Sequence, residues 1–376
     1  MKKSYIKIII LLLIFSILFI LNIFTFKILD QIKLDIILLL IFVLTYITLG
    51  FEKDRHRYTK DVILEITIIL ISFFILYYLF GILVGFAQNA NYYTYKSLIN
   101  IILPIIIFIL IKEVLRYQLL TKASESKIII ILICIFFIII DNVIAFSIHN
   151  ININKETFLL ISLIFLPSIT ENILCTYLSL KFGYKPSIFY LLIINIYKYL
   201  APIIPNPNEY LYSIIFLILP LIIFKKIKQL TEMEQNELNL LIKSKSRKLQ
   251  LIIIVPLVLI VTSMVYVISG YFRYYMVAVA SGSMEPNLSK GDVVIIDKKF
   301  DKCNKGDIIA YYYEKKIIIH RVYKIIKTDD EYFIYTKGDA NNNYDNYKIT
   351  NDMIVGIVKF KIPLVGYPTV LLNERW

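Results

Sequence analysis

The chain has 376 residues, 58% of them hydrophobic, and a formal net charge of +13. So much apolar surface in long unbroken runs excludes an ordinary soluble domain. The charge does not mark a nucleic-acid binder: residues 1–270 carry 25 Lys/Arg against 15 Asp/Glu, mostly between the apolar runs, while residues 271–376 are near balance at 16 against 13.

A hydrocarbon core about 30 Å thick takes roughly 20 apolar residues as a helix, because backbone groups must be satisfied internally. Suitable runs lie near 8–26, 34–51, 62–86, 97–111, 128–148, 157–180, 187–204, 210–224 and 251–270. The fourth, seventh and eighth are short, with Pro104, Pro202 and Pro220 placed to kink them. The first follows Met1-Lys2-Lys3 without a small-x-small cleavage site, so it reads as an uncleaved span.

Loop charge then sorts by side. The N-terminus and every second loop hold 20 basic residues, counting Lys112 and Arg116 in the fourth loop; the alternate loops hold only Lys27, Lys33, Lys96 and Lys155. The positive-inside rule puts the N-terminus and the 225–250 linker in the cytoplasm and residues 271–376 outside the cell membrane. The expected order is a polytopic membrane domain of about eight helices (1–224), a charged cytoplasmic linker (225–250), a transmembrane anchor (251–270) and an extracytoplasmic β-rich domain (271–376). Thr231 to Gln250 is predicted helical, and Pro202 to Pro207 an outer loop.

Glu65, Asp141, Glu171 and Lys198 fall inside the spans, where ionisable groups are costly and face a partner or a cavity. Glu171 and Lys198, on adjacent spans, are expected to pair structurally; a second site around Glu171-Asn172 is the functional alternative. The three cysteines give no disulfide framework, and Cys303, between lysines, is expected at the surface.

After Gly270 short β-branched and aromatic runs alternate with Gly/Asp/Asn turns: VAVA, VVII, IIAYYY, KIIIHRVYKII, EYFIYT and MIVGIVKF. These read as strands of one small all-β domain. Three features there carry chemistry. Ser281-Gly282-Ser283-Met284-Glu285-Pro286 can present a serine on a tight turn, with a backbone N–H and a hydroxyl two residues earlier facing a developing oxyanion; an ordinary turn is the alternative. A serine nucleophile needs a base. His56 lies in a cytoplasmic loop, His149 in a short polar outer loop, and His320 in a strand of the same module as Ser283. A packed, satisfied histidine is the alternative for His320. Lys337 to Asp345 is a Gly/Asp/Asn turn whose Asp339 and Asp345 can each orient an imidazole. It lacks the terminal Glu of an EF-hand calcium loop, and no metal or cofactor is expected.

The segment Ser281–Pro363 resembles the signal peptidase I family, in particular its ER, archaeal and sporulating-bacterium branch. SGSMEP resembles the serine box, GDVVIID the strand after it, and KGDIIAYYYEKKIIIHRVYKI the box with His-Arg-Val in place of the usual bacterial lysine. KGDANNNYD resembles the acidic box, and VGIVKFKIPLVGYP the closing strand and turn. Together with the apolar runs, this resemblance makes the expected fold class a polytopic α-helical membrane protein with a C-terminal all-β, signal-peptidase-like catalytic domain. It implies Ser283 as nucleophile, His320 as general base, Asp345 or Asp339 as the third member, and Ser281 with the Ser283 amide as oxyanion hole. Asn346 stands where many relatives have a second Asp. The implied substrates are signal-peptide-bearing exported precursors; membrane lipid is the other expected contact. A polytopic scaffold or transporter-like protein with a non-catalytic peptidase-like domain is the competing reading.

Overall fold

The computed structural model describes residues 2–25, 31–56, 58–89, 98–123, 126–148, 161–233, 254–300, 302–314, 316–327, 332–367 and 370. They divide into two compact units, Met1–Val258 and Leu259–Trp376.

The first unit is helical. In chain order it contains α1 (Lys2–Thr25), α2 (Gln31–Leu49), α3 (Thr59–Val84), α4 (Leu103–Ala123), α5 (Lys127–Ile148), α6 (Leu166–Phe182), α7 (Tyr184–Leu200) and α8 (Glu209–Met233). A further helix, α9 (Ile254–Ile268), begins in the first unit and continues into the second. One π-helical turn leads into α4 and another into α6. Four helical stretches among the described residues are long and apolar enough to cross a membrane: Thr59–Ile82, Leu98–Ala123, Ile161–Phe182 and Glu209–Thr231.

Two apolar clusters hold this unit. Ile8, Leu12, Leu38, Leu115, Phe136 and Phe137 join α1, α2, α4 and α5. Ile66, Ile109, Leu174, Leu178, Leu191 and Ile223 join α3, α4, α6, α7 and α8. Helix α4 therefore serves both cores. The bend between α6 and α7 turns on Gly183, whose φ of 82° and contact with the Asp54 carboxylate leave no room for a Cβ.

Several expectations are corrected here. The fourth span does not stop at residue 111 but continues to Ala123. Lys112 and Arg116 are therefore buried in the bundle rather than in a loop, which reduces the loop asymmetry to 18 against 4. Lys112 bonds Asp141 (2.7 Å), and Arg116 bonds Asn172 Oδ1 (2.6 Å), Glu113 and Thr176. Hydropathy ended the span at the first cation because the neutralising groups sit mostly on other helices. Glu171 and Lys198 do not form an ion pair. Pro220 stands inside α8 and Pro104 inside the continuous helical stretch Leu98–Ala123, just past its π-helical turn; Pro202 follows α7. The stretch after Pro202 is not simply a loop: β2 (Ile203–Pro205) pairs antiparallel with β1 (Phe86–Gln88). His149 and the 234–250 connector lie outside the described residues.

The second unit is a six-stranded antiparallel sheet in the order β3-β4-β8-β5-β6-β7. The strands are β3 (Tyr274–Ala278), β4 (Val293–Asp297), β5 (Ile308–Tyr313), β6 (Lys316–Lys327), β7 (Tyr332–Lys337) and β8 (Ile354–Ile362). Successive side chains on a strand point to opposite faces, and the core divides accordingly. Ala310 packs with Val279, Met284, Leu288, Val294 and Ile319, while its neighbours Ile309 and Tyr311 pack with Val322, Ile334 and Ile349. The sheet is thus apolar on both sides, as expected of β-branched runs with little polar alternation. Bulges at Ile295/Ile296, Ala310/Tyr311 and Val322/Lys324 shift the register and sharpen the local twist.

Candidate active site

His320 lies opposite Ile309 in the β5–β6 ladder, so its ring joins the face that carries Ile309 and Tyr311. It is buried, at 8% exposure. Its Nδ1 lies 2.7 Å from Asp345 Oδ2 and its Nε2 lies 3.2 Å from Ser283 Oγ. Three residues from three separate sequence boxes thus form one hydrogen-bonded line.

The serine is presented by the turn between β3 and β4. Met284 and Leu288 are buried in the core beneath it, and the Glu285 and Leu288 amides donate to the Gly282 and Met284 carbonyls. That packing holds Ser283 half-buried at the sheet's rim, with Ser281 Oγ 3.2 Å from Ser283 Oγ. The acidic turn after β7 closes over it. The Ala340 amide donates to the Ser283 carbonyl at 2.9 Å. This approach requires glycine at 338, since a Cβ there would stand 2.6 Å from the same carbonyl oxygen.

The two aspartates of that turn have different partners. Asp345 Oδ2 also accepts from Thr336 Oγ1 at 2.5 Å and Tyr311 OH at 3.4 Å, and the Asp345 amide donates to the Thr336 carbonyl. Tyr311 OH in turn lies 3.0 Å from Tyr347 OH. Burial pushes the Tyr311 phenol well above its usual range, and the Tyr347 phenol upward, so both remain hydrogen-bond donors around the carboxylate. Asp339, by contrast, is gripped by the Arg321 guanidinium at 2.8 and 2.7 Å and by Asn287 Nδ2 at 2.8 Å. The Arg321 bonds, first among its causes, hold the Asp339 carboxyl below the usual carboxylate range. Asn287 belongs to the serine turn and its carbonyl accepts from Lys361 Nζ. Asp339 therefore ties the serine turn to β6, and its carboxylate is not hydrogen-bonded to the imidazole.

Sequence reasoning missed Tyr311, Thr336, Tyr347 and Arg321. The available signal was a hydroxyl at alternate positions of β5 and β7 facing the histidine's side of the sheet, readable only once the register is known. Cys303 is corrected from surface to partly buried: it packs against the Tyr311 core, and burial pushes its thiol up to about 11. His56 lies in the helical unit, with Nδ1 2.9 Å from Asp54.

A family model described as Peptidase S24-like matches residues 261–359. The signal peptidase complex catalytic subunit SEC11 of Clavispora lusitaniae is 37% identical over 110 residues, 27% of this chain and 66% of that protein. The subunits of the same name from Yarrowia lipolytica and Lodderomyces elongisporus are each 36% identical over 110 residues, covering 27% of this chain and 64% and 66% of their own lengths. The chain thus spans just under two thirds of these relatives.

Proposed function

We propose that this chain, whose C-terminal module belongs to the signal peptidase I family of serine peptidases, is a membrane-bound endopeptidase that removes signal peptides from exported precursors. The observation that supports this reading is the unbroken line Asp345–His320–Ser283 with the Ser281 hydroxyl beside it. With the Nδ1 proton donated to Asp345, Nε2 is left free to accept the Ser283 proton.

Ser283 Oγ attacks the precursor's scissile carbonyl carbon as its proton passes to His320 Nε2. The carbonyl oxygen becomes an oxyanion held by the Ser283 amide and the Ser281 hydroxyl. Collapse breaks the C–N bond, and the imidazolium gives its proton to the departing amine of the mature protein. Water then loses a proton to Nε2, attacks the acyl-serine, and releases the signal peptide as a carboxylate while Ser283 recovers its proton. Asp345 orients the ring and stabilises its cationic form; Tyr311 and Thr336 hold Asp345 in place.

The charge asymmetry, 18 basic residues against 4 even without Lys112 and Arg116, favours a cytoplasmic N-terminus and an extracytoplasmic peptidase module on a multi-pass cell-membrane protein. Residues 1–224 are then a membrane domain, 225–250 a cytoplasmic linker and 251–270 the anchor. The test is co-expression with candidate precursors followed by N-terminal sequencing of the released products. The account expects one new N-terminus directly after a small residue, absent with Ser283→Ala; processing unchanged by that substitution would overturn it.

A further inference from the structure

The peptidase chemistry uses none of the charged side chains of the helical unit, yet five line one cavity. It has a volume of about 730 Å³ and is lined by Lys112 of α4, Asp141 of α5, Glu171 of α6, Lys198 of α7 and, exposed, Glu209 of α8. The β1–β2 ribbon contributes Ala87 and Ile204 to its wall.

Lys112 and Asp141 are accounted for. Lys112 Nζ lies 2.7 Å from Asp141 Oδ1, and Asn172 Nδ2 donates to Asp141 Oδ2 at 2.7 Å. Glu171 and Lys198 are not. Among the described residues, neither side chain has a hydrogen-bond or ion-pair partner, although Lys112 acts on Glu171 and Glu171 on Lys198 electrostatically, and Lys198 Nζ lies 5.3 Å from the Tyr199 ring centroid. Both are half-buried; Glu171 lies in a stretch long and apolar enough to cross a membrane, and Lys198 on the helix packed beside it. Ionisable groups in that setting cost several kcal/mol unless they face a partner or a water-filled cavity. A pair kept only for structure would close to ion-pair distance, as Lys112 and Asp141 do. Here the two opposite charges stand apart on a shared cavity.

The lining constrains the occupant. An anion alone meets Glu171, and a cation alone meets Lys198. A wholly apolar segment, such as the hydrophobic stretch of a signal peptide, leaves both charges unpaired. A zwitterion satisfies both, and the apolar wall of Phe108, Ile164, Ile194 and Ile204 suits an attached hydrocarbon chain. The volume is in the range of small-molecule sites, roughly 300–1,000 Å³. We propose that this cavity binds an aminoalkyl phosphate, its primary ammonium at Glu171 and its phosphate at Lys198. The source is either an aminophospholipid headgroup or a soluble compound with that headgroup.

The test uses the full chain reconstituted in nanodiscs containing equal amounts of phosphatidylethanolamine, phosphatidylcholine and phosphatidylglycerol, with retained lipid measured by native mass spectrometry after detergent extraction. Phosphatidylethanolamine should be retained about tenfold over the other two, because a trimethylated ammonium donates no hydrogen bond and glycerol carries no cation. Glu171→Gln and Lys198→Gln should each erase that preference while Ser283 keeps its reactivity toward a serine-directed probe. Soluble glycerophosphoethanolamine is the second arm: competition at millimolar concentration identifies a soluble ligand, and its failure beside retained lipid identifies the membrane lipid. Equal retention of the three lipids by the wild-type chain, without protection by the soluble headgroup, would overturn the proposal whatever the variants do. So would a preference that survives both substitutions.

Discussion

Asp345→Asn tests the aspartate bonded to His320 apart from the other aspartate of its turn. The carboxylate Oδ2 receives His320 Nδ1 at 2.7 Å, Thr336 Oγ1 at 2.5 Å and Tyr311 OH at 3.4 Å. An asparagine amide nitrogen at that position would face two hydroxyls and favour the tautomer whose Nδ1 accepts, which places the proton on Nε2 and disables it as a base. An asparagine oxygen there would still accept, but without the charge that stabilises the imidazolium. Either arrangement should lower kcat by about 10⁴, equivalent to about 5 kcal/mol of transition-state stabilisation. Asp339→Asn loses the Arg321 contact but no bond to the ring, so about tenfold is expected there. The assay is turnover of a purified precursor by the full chain in detergent, with retention time on gel filtration as the folding control. The reasoning is refuted if Asp345→Asn stays within tenfold of wild type while Asp339→Asn loses three orders of magnitude.

Ser281→Ala removes one oxyanion donor and should cost about 10² in kcat with little change in KM; a loss below threefold would remove Ser281 from the site. Gly338→Ala places a methyl 2.6 Å from the Ser283 carbonyl oxygen. It should cost about 1–3 kcal/mol of module stability by overpacking and reduce turnover, measured by thermal unfolding and precursor processing; unchanged values for both would contradict the close approach. Asp297 is held at about 2, chiefly by its bonds to the Arg273 guanidinium. Its folded value is depressed, so the stability it contributes is complete above the unfolded value of about 4 and is lost as pH falls toward 2. Arg273→Met should therefore move the acid midpoint for protease resistance of the module to higher pH, and an unmoved midpoint would assign Asp297 another stabiliser.

How much of this was legible in the chain varies with the range of the interactions. The strands were readable because runs such as VVII and KIIIHRVYKII are bounded by Gly/Asp turns and need only local pattern. The meeting of Ser283 with His320 was readable because their boxes keep a fixed order. Which aspartate meets the imidazole was not: both sit in one turn, and Arg321, one residue beyond His320, holds Asp339 while Thr336 on the next strand bonds Asp345. Tyr311 escaped notice since an aromatic in a strand is ordinarily core, and here it is core with one polar end aimed at Asp345. In the helical unit the error ran the other way. Local hydropathy placed Lys112 and Arg116 in a loop because it cannot see Asp141 and Asn172 on neighbouring helices. Adjacency of spans likewise suggested Glu171 with Lys198, whereas Asp141 on α5 pairs with Lys112 on α4, and the expected pair faces a cavity instead.

The central claim, that Ser283 is a nucleophile activated by His320, is tested most directly by mapping the covalent adduct of a serine-directed acylating probe by peptide mass spectrometry. The account predicts a single adduct on Ser283 in the wild-type chain and none in His320→Ala. An adduct on another residue, or undiminished labelling of Ser283 in His320→Ala, would contradict it.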